Sequence, residues 1–241
     1  MKIEIFFFLM IIAVHGAWAQ AVVPNQVRAA NTFDRINTTG GVTSSSLMYG
    51  LPLPPGERVA DFYFDTKWNK SAIMLFGREH EIVGYTVKYD VKNERVEVMT
   101  KEGIKILACS TIKTLAWVDS VTRENIFFVN AVEYKSEDKV VGLLESLVEG
   151  KATLLKKTNL IVVKPDYIPA LDVGTRDEKL RREEVYFVAL GQQLYKISNK
   201  ENLVSIFKGK ESSINDFIKI NKLKVKHEED LVKIITFANT L

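Results

Sequence analysis

Residues 81–106 read EIVGYTVKYDVKNERVEVMTKEGIKI. Val83, Tyr85, Val87 and Tyr89 alternate with Gly84, Thr86 and Lys88, the period of a strand with one buried face. Lys92-Asn93 makes a polar turn, after which Val96 and Val98 alternate again. Lys101-Glu102-Gly103 then turns the chain into Ile104 and Ile106. Three short strands joined by two tight turns form a meander, which holds only if further strands or helices cover its apolar face.

Outward from this meander the chain supplies that cover. Towards the N-terminus, ADFYF (60–64) and SAIMLF (71–76) predict two strands around a loop at residues 66–70. Towards the C-terminus, IKTLAWV (112–118) and IFFV (126–129) predict a hairpin about residues 122–125. Residues 140–163 predict three more strands, at 143–148, 152–155 and 160–163, the last two separated by Thr158-Asn159. Residues 184–197 predict a closing hairpin. Gly103, Gly150 and Gly191 each fall between two apolar runs, where a glycine can supply the positive φ of a tight turn. Their unequal spacing argues against a repeat protein. Residues 164–182 carry Pro165, Pro169 and Gly174 and predict a long irregular loop.

From Ser198 the apolar period becomes helical. Ser198 and Glu201 have the spacing of a capping box ahead of Leu203, Ile206 and Phe207. Ser213 and Asp216 have it ahead of Phe217 and Ile218. Glu228-Glu229-Asp230 suit a helix N-terminus, and Leu231, Ile234, Ile235 and Ala238 recur on one face. The expected fold is therefore α+β. An antiparallel, hairpin-rich sheet, as a roll or a sandwich, is covered by three C-terminal amphipathic helices in one domain over residues 59–241, with the helical tail from about 198.

Hydrophobic residues make up 46% of the 241, enough for a packed core. The net charge of +3 is spread over interspersed signs. Arg181-Arg182 is followed at once by Glu183-Glu184, so no basic stripe points to nucleic acid. Lys2, the apolar run at residues 5–14 and Ala17-Trp18-Ala19 occur in the order of a cleaved signal peptide over residues 1–19, too short to anchor in a bilayer. Residues 20–58, rich in Asn, Thr, Ser, Gly and Pro, predict a flexible polar leader. Cys109 is the only cysteine and sits in an apolar stretch, which predicts a buried core thiol. An exported chain with one unpaired cysteine suits a bacterial envelope.

The order of these parts resembles a group of uncharacterised secreted proteins of Bacteroidota-type Gram-negative bacteria. The resemblance is carried by V-x-Y-x-V-x-Y-D-V (83–91), LLESLVEGKATLLKK (143–157), KPDYIPAL (164–171) and FIKINKLKVKHEEDLVKIITFANTL (217–241). It implies an envelope location and a β-rich body with C-terminal helices. It implies no activity and no catalytic residues.

The chemistry-bearing residues are sparse. The chain beyond the signal peptide has two histidines, His80 in a charged turn and His227 at a helix start, and no G-x-S-x-G presents a nucleophile. Neither a zinc-ligand spacing nor a phosphate-binding glycine loop occurs. No cofactor or metal is expected. Asp61 and Asp65, or Asp166, Asp172 and Asp177, would have to meet in space to act as a hydrolytic pair. Trp68 in a polar loop, Tyr63 opposite Phe62 and Phe64 in alternation, and Tyr167 and Asp172 in the long loop form the expected ligand or partner surface, because Trp and Tyr anchor partners and stack on sugars. Trp117 belongs to the core. These readings favour a non-enzymatic structural or interaction protein of the cell envelope, bound to another envelope protein. It would be periplasmic, outer-membrane associated or outside the cell. A carbohydrate-binding module and an envelope hydrolase are the alternatives.

Overall fold

The alternation read in the central stretch is that of a sheet with one face on a core. In the computed structural model, which describes residues 62–163 and 179–241, Tyr85, Val87 and Tyr89 are buried while Thr86 and Lys88 are half-exposed. The strands are β1 (Asn69–Leu75), β2 (Ile82–Asp90), β3 (Arg95–Thr100), β4 (Gly103–Ala108), β5 (Ile112–Val118), β6 (Asn125–Asn130), β7 (Lys135–Ser136), β8 (Leu143–Val148), β9 (Ala152–Val163), β10 (Lys179–Leu190) and β11 (Gln193–Lys196). The helices α1 (Lys200–Ile206), α2 (Glu211–Ile220) and α3 (Glu228–Thr240) follow. All eleven strands lie in one sheet, in the order β4-β3-β2-β1-β5-β6-β8-β9-β10-β11-β7. Every pairing is antiparallel except β7 with β11.

The sheet is rolled, not split into a sandwich. In a flat sheet β2 and β9, five places apart in the order, would be separated by about 24 Å at ~4.8 Å per strand. Yet Glu94, in the β2–β3 turn, is ion-paired with Lys157 of β9. Leu160 of β9 packs on the core beneath β2 and β3. Arg182 of β10 donates to the carbonyl oxygens of Tyr63 and Phe64, at 2.7 and 3.0 Å. Gly142 permits the curl, since a Cβ there would lie 2.0 Å from the Glu94 carboxylate, and its φ of +82° is one that side chains avoid. Inside the roll, Phe128 meets Phe64 edge-on at 5.1 Å, Tyr89 edge-on at 5.7 Å and Trp117 at 4.8 Å, separations at which aromatic quadrupoles attract.

The helices cover the other face of β9 and β10. Leu154 and Val188 pack with Leu203, Ile214, Leu231, Ile234 and Ile235, whereas neighbouring Leu155 and Phe187 face the opposite side. The C-terminal end of α3 is locked by one side chain. Asn239 accepts from the backbone N–H of Ala152 at 2.8 Å and donates to its carbonyl at 2.9 Å, imitating a neighbouring strand.

The structure corrects several local expectations. Of ADFYF only a single bridge, Tyr63 to Asp90, forms among the described residues. β1 begins at Asn69, inside the expected loop. Thr158-Asn159 does not interrupt β9, because both residues pair directly with Glu184 and Glu183 of β10. Residues 179–182 of the expected long loop are the start of β10. The first helix is capped by Asn199, not Ser198. The Asn199 side chain accepts from Asn202 N–H at 2.8 Å, while Asn202 Oδ1 accepts from Ser198 N–H, one residue ahead of the cap, in place of the cap's own N–H that a capping box would use. α2 starts at Glu211, leaving Ser213 inside it. Gly103 and Gly191 have positive φ as expected, but Gly150 does not. It is required because a Cβ would lie 2.4 Å from the Asn239 amide. The expected signal peptide, the polar leader and residues 164–178 lie outside the described residues.

Replacing Asn239 with Ala leaves the Ala152 peptide group without its partner. Urea denaturation of the variant is expected to show a loss of about 1–3 kcal/mol, the cost of an unmet, partly buried polar group.

Candidate functional site

The outer face of β2, β3 and β4 collects the half-exposed aromatic and charged side chains. It is built from the segment before β1. Phe64 N–H donates to Tyr89 O at 2.8 Å and Val91 N–H to Phe62 O at 2.9 Å, so this segment lies beside the end of β2. Phe64 therefore points into the core and Tyr63 outward. Asp65 then closes a turn, accepting from Lys67 N–H at 3.1 Å and from the Asn69 amide at 2.9 Å. That turn delivers Trp68 to the start of β1. Because Asn69 pairs with Val87, Trp68 falls opposite Lys88.

The register sets out a row across the sheet, Trp68–Lys88–Glu97–Ile106, with Lys88 paired to Glu97 and Glu97 to Ile106. The Lys88 ammonium lies 4.9 Å from the centre of the Tyr63 ring and 5.3 Å from that of Trp68. Both are within the range of cation–π attraction. Tyr63 donates its hydroxyl to Glu97 Oε2 at 2.8 Å, fixing its ring, and Glu97 is only 4% exposed. At the next row the buried Asp90 carboxylate accepts from Asn93 N–H, from the Asn93 amide and from Arg95 Nε at 3.0 Å, which shapes the β2–β3 turn. Lys92 sits 4.1 Å over Phe62. Met99, 39% exposed, pairs with Ile104 and extends the face to the edge strand.

Two residues singled out in the sequence, Tyr63 and Trp68, are thus brought together around a lysine that sequence reading left unmarked. Only the Trp68–Lys88 register could have found it. Tyr167 and Asp172 lie outside the described residues, as do Asp61, Asp166 and Asp177. Asp65 holds a turn. His80 is exposed before β2, and His227 is exposed at the start of α3 with Nδ1 3.6 Å from Asp230. Cys109 is 1% exposed, and burial, with the nearby Glu94 charge, pushes its thiol far above the ordinary range, as suits a core residue.

Carboxylates do gather on the helix side, a cluster that no sequence spacing signalled. Lys156 of β9 is ion-paired at 2.9 Å with both Glu145 of β8 and Glu228 of α3. Tyr186 donates towards Glu184 at 2.8 Å and Glu228 at 3.1 Å. Burial raises the Glu145 carboxyl above its usual range, opposed by Lys156 and reinforced by Glu228 and Glu184. Burial works to lower Lys156, but Glu145 and Glu228 outweigh it and raise the ammonium's pKa. The arrangement ties the first turn of α3 to the sheet. Among the described residues, no group of three His, Cys, Asp or Glu is placed to hold a metal ion, and no helix is long and apolar enough to cross a membrane.

Comparison with protein families, with curated proteins and with solved structures returns no match.

The raised Glu145 carboxyl has a direct consequence for stability. Its folded form holds a proton more tightly than the unfolded chain does, so its contribution to stability is full below about pH 4.5. That contribution is lost as pH rises through the folded value. Glu145→Gln is expected to gain stability relative to the parent between pH 4 and pH 7, read from denaturation midpoints across that range. A constant difference would contradict the assignment.

Proposed function

We propose that this chain is a non-enzymatic interaction protein of the bacterial cell envelope, and that its partner is another envelope protein docking on the outer face around Trp68. The observation that carries the reading is the Tyr63–Lys88–Trp68 stack. Trp and Tyr dominate the binding energy of protein interfaces. Here both rings are half-buried and clamped, by Lys88 and by the Tyr63–Glu97 hydrogen bond. A partner would therefore meet aromatic anchors whose ordering cost is met on folding, not on binding. The envelope location is supported by the signal-peptide pattern of residues 1–19 and by the single cysteine. Lys88 takes up part of the ring surface that a stacking sugar would need, which ranks a carbohydrate ligand second.

The test is a crosslinking pull-down from the native envelope fraction with the tagged chain of residues 20–241. One protein enriched in stoichiometric amount is expected. Trp68→Ala and Lys88→Ala should each weaken its capture by about tenfold or more, the scale of an interface hot spot, without loss of the folded far-ultraviolet spectrum. Capture that both variants retain would remove this face from the interaction. A blank with folded bait, alongside binding on a glycan array, would replace a protein partner with a sugar.

A further inference from the structure

The two ends of the sheet are built differently. At one end β7 offers two residues, too short an edge to recruit another strand. At the other, β4 is six residues long, GIKILA, with no proline, and its pairing with β3 runs without a break in register. Cys109 N–H donates to Glu94 O at 2.9 Å, and opposed residues alternate between hydrogen-bonded and non-bonded pairs. The bonded pairs with β3 are therefore at Lys105 and Leu107. The N–H and C=O groups of Ile104 and Ile106 point away from β3, and among the described residues no strand lies on that side. The N–H of Ala108 points the same way, while its carbonyl already accepts from Thr111 Oγ1 and keeps a second lone pair. On the outer face this strand carries only Ile104, Ile106 and Ala108, beside the exposed Met99. Its lysine, Lys105, turns to the opposite face and pairs with Glu102 at 3.5 Å.

We propose that β4 is the contact by which two copies of this chain associate, pairing antiparallel across a two-fold axis at Ile106. The choice of a second copy follows from the registers the strand allows. Centred on Ile106, the pairing sets Ile106 against Ile106 and Ile104 against Ala108 on the outer face, with Lys105 against Leu107 on the other. All outward backbone groups named above then find partners. Centred one residue earlier, it would set Lys105 directly against Lys105, which like charge disfavours. Centred on Ile104, it would reach only the β3–β4 turn. The Ile106 centre is thus the one that pairs all three outward positions, 104, 106 and 108, among themselves, since a centre at Leu107 would leave Ile104 opposite Ser110, and a two-fold pairing closes after two copies without growing into a fibre. This goes beyond the proposed partner docking and does not depend on it, since it uses the strand edge and not the Trp68 stack.

Sedimentation velocity of residues 20–241 over a concentration series tests it, with a monomer–dimer equilibrium expected. Ile106→Pro removes an N–H that β3 does not use, and Ile106→Lys sets two charges face to face. Both should stay folded by circular dichroism and sediment as monomers. The register is read by crosslinking. Ile106→Cys places the two thiols on strands about 5.5 Å apart at Cα, within disulfide reach, and should oxidise to a covalent dimer. Ile104→Cys, which lies opposite Ala108 in this register, should not, and the parent chain with its buried Cys109 is the blank. A parent chain monomeric throughout, a dimer that survives both Ile106 variants, or crosslinking through Ile104→Cys in place of Ile106→Cys would each overturn the proposal. Because Trp68→Ala leaves β4 intact, failed partner capture and failed self-association are read separately.

Discussion

The Glu94–Lys157 ion pair closes the roll. It joins the β2–β3 turn to a strand five places away in the sheet order, and it takes the Lys157 ammonium out of water while Glu94 stays half-buried at the rim. A pair in such a place costs desolvation, which it recovers only with supporting hydrogen bonds. Here Tyr89 donates to Glu94 at 3.2 Å, and the missing side chain at Gly142 leaves the carboxylate its room. The core of Phe64, Tyr89, Trp117 and Phe128 is enclosed because this seam holds. Positions on the outer face inherit their geometry from the same curl, since Arg182 reaches Tyr63 and Phe64 only across a rolled sheet.

Much of the architecture was legible in the sequence. The two-residue period of residues 83–89, the apolar run of β5 and the i, i+3, i+4 recurrence in α3 are backbone periodicities, and each names its element without tertiary information. The misreadings share a cause. Thr158-Asn159 looks like a turn until Glu183 and Glu184 are known to lie opposite. Gly150 looks like a left-handed turn residue until Asn239, from a helix far along the chain, is known to need its space. Ser198 has the capping spacing, yet Asn199 takes the role with its side chain, while Ser198 contributes only its backbone N–H, to Asn202. Partners distant in sequence decide these positions, and local pattern does not contain them.

The candidate site was half legible for the same reason. Tyr63 and Trp68 are types that stand out in a polar loop. Lys88 does not, because a lysine on the polar side of an amphipathic strand is what any solvated face carries. Only the pairing of Asn69 with Val87 sets it between two rings. Carboxylates show the converse. Asp65 suggested chemistry by its type and closes a turn, whereas Glu145 and Glu228 meet at Lys156, and Glu184 and Glu228 at the Tyr186 hydroxyl, with no sequence spacing in common.

The long separations that close this fold bear on when the chain can fold. Glu94 must wait for Lys157, 63 residues on, Tyr63 for Arg182, 119 residues on, and Ala152 for Asn239, 87 residues on. Loop closure over such spans comes before the contacts that reward it, so topologies of this kind fold slowly. The strands from β1 to β6 cannot close into a roll until β9 and β10 are available, so a chain cut short before residue 152 would be left with the apolar face of its meander uncovered.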